Sequence, residues 1–285
     1  MIQSMTGYGK TVLQLETKKV TVEVKSLNSK NLDLNVRIPA YYREKELKIR
    51  KRLATFLERG KVDFSIYIEE TGGKLSTKIN AAVVNLYIDQ LKEIVNGDRT
   101  ELLKMAVRMP DTLKTEREEL DQDEWEQIAD CISDTMTKIV TYRNDEGAVL
   151  EADFIKRIAI IRDLLKKVIT IDPERIAAVK ERLQKGIEEL KTKVDENRFE
   201  QELVYYIEKY DITEEKVRLE NHLDYFLKEL SSEGSNGKKL GFISQEIGRE
   251  INTIGSKANY APMQKMVVEM KDELEKIKEQ NLNVL

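Results

Sequence analysis

The chain has 285 residues, with 48 Lys and Arg against 52 Asp and Glu, one histidine and one cysteine. This length suits one or two domains with a large core. The net charge of −4 excludes a global attraction to nucleic acid, so any such site must be a local patch. A lone Cys131 excludes an intrachain disulfide, and with a single histidine no Cys/His zinc pattern is possible.

No run approaches the ~20 apolar residues of a membrane span. The opening MIQSMTGYGK lacks the charged-then-apolar pattern of an export signal. The expectation is a soluble cytoplasmic protein without a membrane partner.

Residues 2–38 read as strands, because residues 20–25 and 32–38 alternate apolar and polar positions. Gly7 and Gly9 flank Tyr8, which fits a bulge or a close backbone approach. Asn28, Ser29 and Asn31 form a turn, and Pro39 stops the sheet. Residues 41–58 predict a helix whose buried face is Ile49, Leu53, Phe56 and Leu57. Its other face carries Lys45, Lys48 and Arg52, continued by Arg59. Residues 37–61 hold nine Lys or Arg against three Glu, a local balance of +6 in an acidic chain. A further alternating strand follows at 62–69. The order β-β-β-α-β predicts an α+β domain with a mostly antiparallel sheet. Arg37, Lys45, Lys48, Arg52, Arg59 and Lys61 are the candidate contacts to a nucleic-acid backbone.

Asn80 is placed to cap a helix running to about Val95. Residues 98–123 are less regular, with a helix start at Pro110-Asp111. From Glu124 the chain reads as helical almost throughout, and Cys131 reads as a buried thiol. Asp172-Pro173 predicts a new helix. Residues 174–195 are charge-rich with sparse apolar positions, which fits either a helix reaching another subunit or an exposed arm. Residues 231–237 are the clearest loop. The expected division is an α+β domain at 1–155, a helical arm at 156–200 and a helical domain at 201–285. The fold class is α+β with a long-helix, all-α C-terminal half.

Three constellations carry possible chemistry. In the first, Ile243, Ile247, Ile251 and Ile254 form one helical stripe, with Glu246 and Glu250 on its flank one turn apart. Acids at a core boundary need a partner or a metal. They either pair with Arg249 or other basic residues, or bind a cation. Gly255 is expected to end this helix, with Lys257 just beyond it. In the second, Asp211 and Glu214 have the spacing of a capping box. Glu215, Arg218 and His222 lie with Asp211 on one flank, and His222 is the only candidate imidazole for proton transfer. The Ser/Gly loop favours antiparallel packing of these two helices. Glu246, Glu250, Asp211 and Glu215 would then converge as oxygen ligands suited to Mg²⁺ or Mn²⁺, with Arg249 or Lys257 orienting a phosphate. In the third, Arg143 and Glu146 of RNDEG are spaced for an intrahelical pair. No Walker phosphate loop and no Ser-His-Asp arrangement is signalled.

The run QEIGREINTIGSKAN, together with SMTGYG, RGKV, RNDEG, DITEE and NHL in order, resembles the bacterial YicC/YloC family of endoribonucleases and stress-related proteins. The resemblance runs from residue 4 to the C-terminus. It implies a divalent-metal-dependent endoribonuclease, assembled as a homohexamer that encloses RNA. Contact with other RNA-decay proteins belongs to the same expectation. The family's motif positions carry over at Gln245, Glu246, Arg249, Glu250, Asn252, Gly255, Ser256, Lys257 and Asn259. In the preceding helix they carry over at Asp211, Glu214, Glu215 and His222. The catalytic candidates are therefore Glu246, Arg249, Glu250, Lys257 and His222. Three departures stand out: Ser29-Lys30 where a His-Arg pair is usual, Gly248 for an Asn, and Tyr260 for an acid. The rival reading is a non-catalytic RNA-binding adaptor whose acids only pair with Arg and Lys. A third is a helical signalling scaffold without RNA.

Overall fold

A computed structural model describes residues 2–71, 77–115, 121–189, 196–232, 234 and 236–285. Its N-terminal half rests on a four-stranded sheet of β1 (Gly7–Gln14), β2 (Lys18–Leu27), β3 (Leu32–Arg37) and β4 (Gly60–Glu70). The spatial order is β1-β2-β4-β3. β1 with β2 and β2 with β4 are antiparallel, while β3 runs parallel to β4. The turn at 28–31 therefore joins strands that are not neighbours, because β4 inserts between them. Burial explains the order. Val20, Val22 and Val24 of β2 and Val62, Phe64 and Ile66 of β4 are all at most 3 % exposed. Placing these two strands at the centre buries both apolar rows. β3, with Leu32, Leu34 and Val36 only half-buried, takes an edge.

The β3-to-β4 link is a crossover through a 3₁₀ turn (Ala40–Lys45) and α1 (Glu46–Leu57). Ile49, Leu53 and Leu57 face the sheet. Phe56, expected with them, is exposed, since the helix turns it away from the strands.

A small unit follows. β5 (Thr77–Ile79) pairs with β6 (Leu113–Thr115) around α2 (Ala81–Ile94) and α3 (Arg99–Ala106). Asn80 accepts from the Val83 N–H and caps α2 as expected. Asp98 caps α3 through the Thr100 N–H. The predicted helix start at Pro110-Asp111 is instead a turn, with Asp111 at φ 60°.

α4 (Gln122–Glu189) is one helix of 68 residues. Ile128, Ile132, Met136 and Ile139 seal the sheet core. Further along, Phe154, Ile158, Ile161, Leu165 and Val168 enter a second core. That core is completed by α6 (Thr213–Leu230), α7 (Gly237–Lys257) and α8 (Ala261–Asn281). Pro173 starts no new helix; α4 runs through it. Residues 158–168, read from sequence as part of an arm, lie in this core. α5 (Glu196–Lys209) follows, and residues 190–195 of the charge-rich stretch lie outside the described residues. No helix among the described residues is long and apolar enough to cross a membrane.

The SMTGYG and RNDEG motifs meet each other. The Thr6 hydroxyl donates to Glu146 at 2.6 Å, and Gln3 donates to Asn144 at 2.8 Å. Arg143 makes no pair with Glu146; it is 2 % exposed and donates to Ser26 Oγ at 2.6 Å and the Met5 carbonyl at 3.2 Å. The chain ends close over this junction. Ser4 bridges Val284, and Leu285 N–H donates to Gln3 O at 2.9 Å. Close approach sets the glycines. A Cβ at Gly9 would stand 2.5 Å from the Thr135 carbonyl, and one at Gly147 only 2.1 Å from the Ile2 carbonyl.

Gly147→Ala is therefore expected to destabilise the protein by about 3 kcal/mol, as overpacking against backbone does. Gly186 has nothing within 4 Å of a built Cβ. Gly186→Ala should stabilise by about 0.8 kcal/mol through helix propensity alone. Thermal melts of the two variants should move in opposite directions; a shared direction would contradict this packing.

Candidate functional site: the α6–α7 acid cluster

α7 is apolar on one face because Ile243, Ile247, Ile251 and Ile254 repeat at helical spacing, and all four are at most 4 % exposed. A second stripe, of glycine, faces α8. A Cβ at Gly248 would meet Leu274 Cδ2 at 3.2 Å, and one at Gly255 would meet Val267 Cγ1 at 2.9 Å. Gly255 thus sits inside α7, which continues to Lys257, and does not cap it. The same packing accounts for Gly248, whose cost in helix propensity is offset by the close contact of two helices.

α6 packs antiparallel on the other flank. Lys239 pairs with Glu229 at 2.6 Å at one end, and Lys257 pairs with Glu215 at 2.7 Å at the other. Lys257 Nζ also donates to the Asp211 carbonyl at 2.8 Å. Glu215 is 6 % exposed, and its Oε2 is buried with no hydrogen-bond partner.

The two acids one turn apart on α7 have different surroundings. Glu246 is partly exposed and pairs with Arg249 at 3.2 Å. Glu250 is 4 % exposed and makes no hydrogen bond or ion pair with any other described residue. Burial holds its carboxyl above the usual range. The nearby charges of Glu215 and Glu246 push it further up, while Arg218 and His222 oppose them. Glu250 and Glu215 therefore share one cluster with Arg218 and the half-buried His222.

Asp211 is not part of that cluster. Its Oδ1 accepts from the Thr213 N–H at 3.1 Å and hydroxyl at 2.7 Å. The Thr213 hydroxyl bond is the main cause that holds its carboxyl below the usual range. The capping-box expectation is corrected accordingly: Ile212 holds the N-cap position, and Glu214 pairs forward with Arg218. Among the described residues no group of three or more His, Cys, Asp or Glu side chains is set to hold a metal. The acids that a hard cation could use are Glu215 and Glu250. A magnesium ion commonly takes one or two carboxylates and completes its shell with water and substrate phosphate. The orphaned Glu215 oxygen and the unpaired Glu250 suit that mode; Asp211 and Glu246 are engaged elsewhere.

The six basic candidates do not form one stripe. Arg37 and Lys61 lie on the open face of the sheet, opposite the buried rows of β3 and β4. Tyr8 and Tyr67 are exposed there, and Lys25 Nζ lies 5.7 Å from the centre of the Tyr8 ring. Lys45 and Arg52 are on the helical side. Lys45 Nζ lies 5.7 Å from the centre of the Trp125 ring, and Arg52 ties α1 to α4 through Ser133 Oγ at 2.7 Å. Lys48 is exposed on α1. Arg59 donates to the Ser29 carbonyl at 3.1 Å. Tyr260, the third departure, donates to Glu174 at 3.4 Å. Arg143 and its neighbours join the two cores and are not part of the acid cluster. The sequence reading missed Lys278, which reaches α7 from α8. The glycine spacing at 241, 248 and 255 was the signal that α8 packs close.

Two family models match the chain. One, described as "Endoribonuclease YicC-like, N-terminal region", covers residues 2–152. The other, "Endoribonuclease YicC-like, C-terminal", covers residues 168–285. A protein of Clostridioides difficile (strain 630) named "Probable endoribonuclease YicC" is 33 % identical over 293 residues, across 100 % of both chains. One of the same name from Haemophilus influenzae (strain Rd) is 28 % identical over 287 residues, again across 100 % of both.

Glu250 gives a stability test. Its folded-state pKa is raised, so the folded protein binds that proton more tightly than the unfolded chain. The resulting stability is full below the ordinary value of 4.5 and is lost as pH rises through the folded value. Glu250→Gln removes the charge while keeping the shape. Its melting temperature should exceed that of the parent at pH 8, and the gap should close towards pH 4.5. A variant that melts lower at pH 8 would mean that Glu250 is held by an ion pair after all.

Proposed function

This chain belongs to the YicC-like endoribonuclease family, and we propose that it cleaves RNA internally at the α6–α7 acid cluster, with a divalent cation. The observation that carries this reading is Glu250, a buried residue of the family's motif helix whose carboxyl has no hydrogen-bond or ion-pair partner among the described residues. A catalytic carboxyl is commonly kept in such an environment.

Cleavage requires an oxygen nucleophile to give up its proton and add to phosphorus while the bond to the leaving ribose oxygen breaks and that oxygen gains a proton. His222 is the imidazole of this cluster and the group proposed to pass the proton. Lys257 and Arg249 supply positive charge to the phosphate. Glu215 and Glu250 would hold Mg²⁺ or Mn²⁺, which neutralises charge on the phosphodiester and acidifies a bound water. Glu246 keeps Arg249 oriented. RNA is guided to the cluster by the basic residues, those of the open sheet face being the ones with exposed tyrosines beside them. Arg37 and Lys61 there flank exposed tyrosines on which bases stack.

The chain acts as a homo-oligomer, a hexamer in this reading, that encloses its RNA. The unit of residues 77–115 supports association. Its buried apolar set is Val84, Ile88, Leu102 and Ala106, while Leu86, Ile94, Met105 and Leu113 are more than half exposed. Such apolar surface marks contact sites. Light scattering should give a mass about six times that of the chain; a monomer at micromolar concentration would reject this part of the reading.

The decisive experiment incubates the purified protein with a structured RNA in Mn²⁺, in Mg²⁺ and with chelator. Cleavage should need the cation, and Glu250→Gln should lower it by about 100-fold or more. Cleavage that survives chelator would move the chemistry to His222. Binding without cleavage would favour the adaptor. Replacing Arg37 and Lys61 by Ala should lower the salt slope of RNA binding by roughly 1.4, two single-strand contacts. An unchanged slope would clear the open face of this role.

A further inference from the structure

The side of α7 turned from Glu250 towards α8 holds a groove of about 530 Å³. It is shallow and open to solvent, as suits a segment of a longer strand rather than an enclosed small molecule. Its composition is unlike that of a solvated helix face. Exposed positions of α8 carry Glu269, Lys271 and Glu275, residues that favour a helix. The groove has Asn252, Thr253 and Ser256, which disfavour a helix; Asn252 and Ser256 are exposed and Thr253 is half-buried.

Gln245 and Asn252 are exposed on its wall and make no hydrogen bond to any other described residue. They stand two turns apart, a rise of about 10 Å. Each carboxamide offers donors and an acceptor together, which is what the edge of a base demands. Thr253 and Ser256 donate their hydroxyl protons to the carbonyls of Arg249 and Thr253 at 3.0 and 2.9 Å. Their lone pairs remain to accept from a ribose 2′-OH.

Arg249 lies between the two carboxamides. A Cβ at Gly248 would stand 3.6 Å from Lys278 Nζ, so the missing side chain admits that ammonium to the groove floor. Each cation has one acid along its own helix, Glu246 at 3.2 Å and Glu275 at 2.7 Å. Both are solvent-exposed pairs of the weak kind, and they leave N–H groups for a phosphate.

We propose that this groove holds one nucleotide of single-stranded RNA beside the cleaved phosphodiester. Gln245 and Asn252 read its base, and Arg249 and Lys278 hold its phosphate. The proposal rests on the nuclease reading for the polymer it names. Arg249 adjoins Glu250 in sequence, so one helix presents the groove and the acid cluster to the same strand. The base preference of the enzyme is set here.

The test uses the full-length protein with a short RNA library. Gln245→Ala and Asn252→Ala should relax the base preference at one position and raise KM for the preferred sequence about tenfold, with kcat kept. Lys278→Ala should weaken all sequences alike and lower the salt slope by about 0.7. Wild-type KM, preference and slope in all three variants would overturn the subsite while leaving the nuclease reading intact. If the parent cleaves no RNA, binding of AMP, GMP, CMP and UMP decides. A preference among them that Gln245→Ala and Asn252→Ala abolish carries the subsite without the nuclease. No binding, or equal binding by parent and variants, overturns it.

Discussion

Arg143 is a buried cation with no carboxylate of the described residues bonded to it, and the N-terminal architecture converges on it. Its guanidinium donates to Ser26 Oγ on β2, to the Met5 carbonyl ahead of β1, and to the Leu57 carbonyl at the end of α1. Burial lowers its pKa, yet an arginine keeps its charge under such conditions. The charge is spread over a hydroxyl and backbone carbonyls from three chain segments. An arginine committed to that many acceptors fixes their relative positions. It also sets the turn between α1 and β4, where Glu58 at φ 45° and Gly60 at φ 123° hold a conformation that few side chains adopt.

That junction matters to the site because α4 passes through it. The same helix that seals the sheet with Ile139 enters the second core with Phe154 eleven positions after Arg143. The sheet and the α6–α7–α8 bundle are thus mounted on one rod, and the zipped chain ends brace them. Within the bundle, glycines let α8 approach α7 on one side, while the isoleucines bury the next. α7 has no freedom to rotate, so the direction in which Glu250 points is set by packing. A side chain directed in this way can stay in a costly place.

The sequence made the periodic features legible and concealed those that depend on which segments meet. The strand alternation, the Asn80 cap, the isoleucine stripe and the antiparallel pairing of α6 with α7 all follow from local spacing. The insertion of β4 between β2 and β3 does not, because alternation fixes faces and leaves neighbours open. Pro173 looked like a helix start. The helix continues there because Asp172 beside it is bound by Arg175 and Lys216, each at 2.8 Å, which ties both sides of the proline to the core. Arg143 and Glu146 had the spacing of a pair, but each found a better partner elsewhere: Ser26 on β2 and the Met5 carbonyl for Arg143, and Thr6 just ahead of β1 for Glu146. Of the candidate site residues, spacing put Glu215, His222 and Glu250 on facing flanks. It could not separate Glu246 from Glu250, since a difference of one turn decides which of them faces α6.

That separation bears on the choice between a structural and a chemical role. An acid retained for an ion pair should show the pair, as Glu246 does with Arg249 and Glu229 with Lys239. Glu250 is more buried than Glu246 and has none, although Arg218 and His222 are near enough to act on its charge. Glutamine would fill the same space and remove the penalty of burying a carboxylate. Glu215 repeats the pattern in part, with one oxygen held by Lys257 and the other left without a donor. These two acids on facing helices, one with an oxygen left without a donor and one with no ion pair among the described residues, are where the fold carries an unoffset cost. The adaptor reading accounts for the outer charges of this bundle; the role proposed above is what would account for these two.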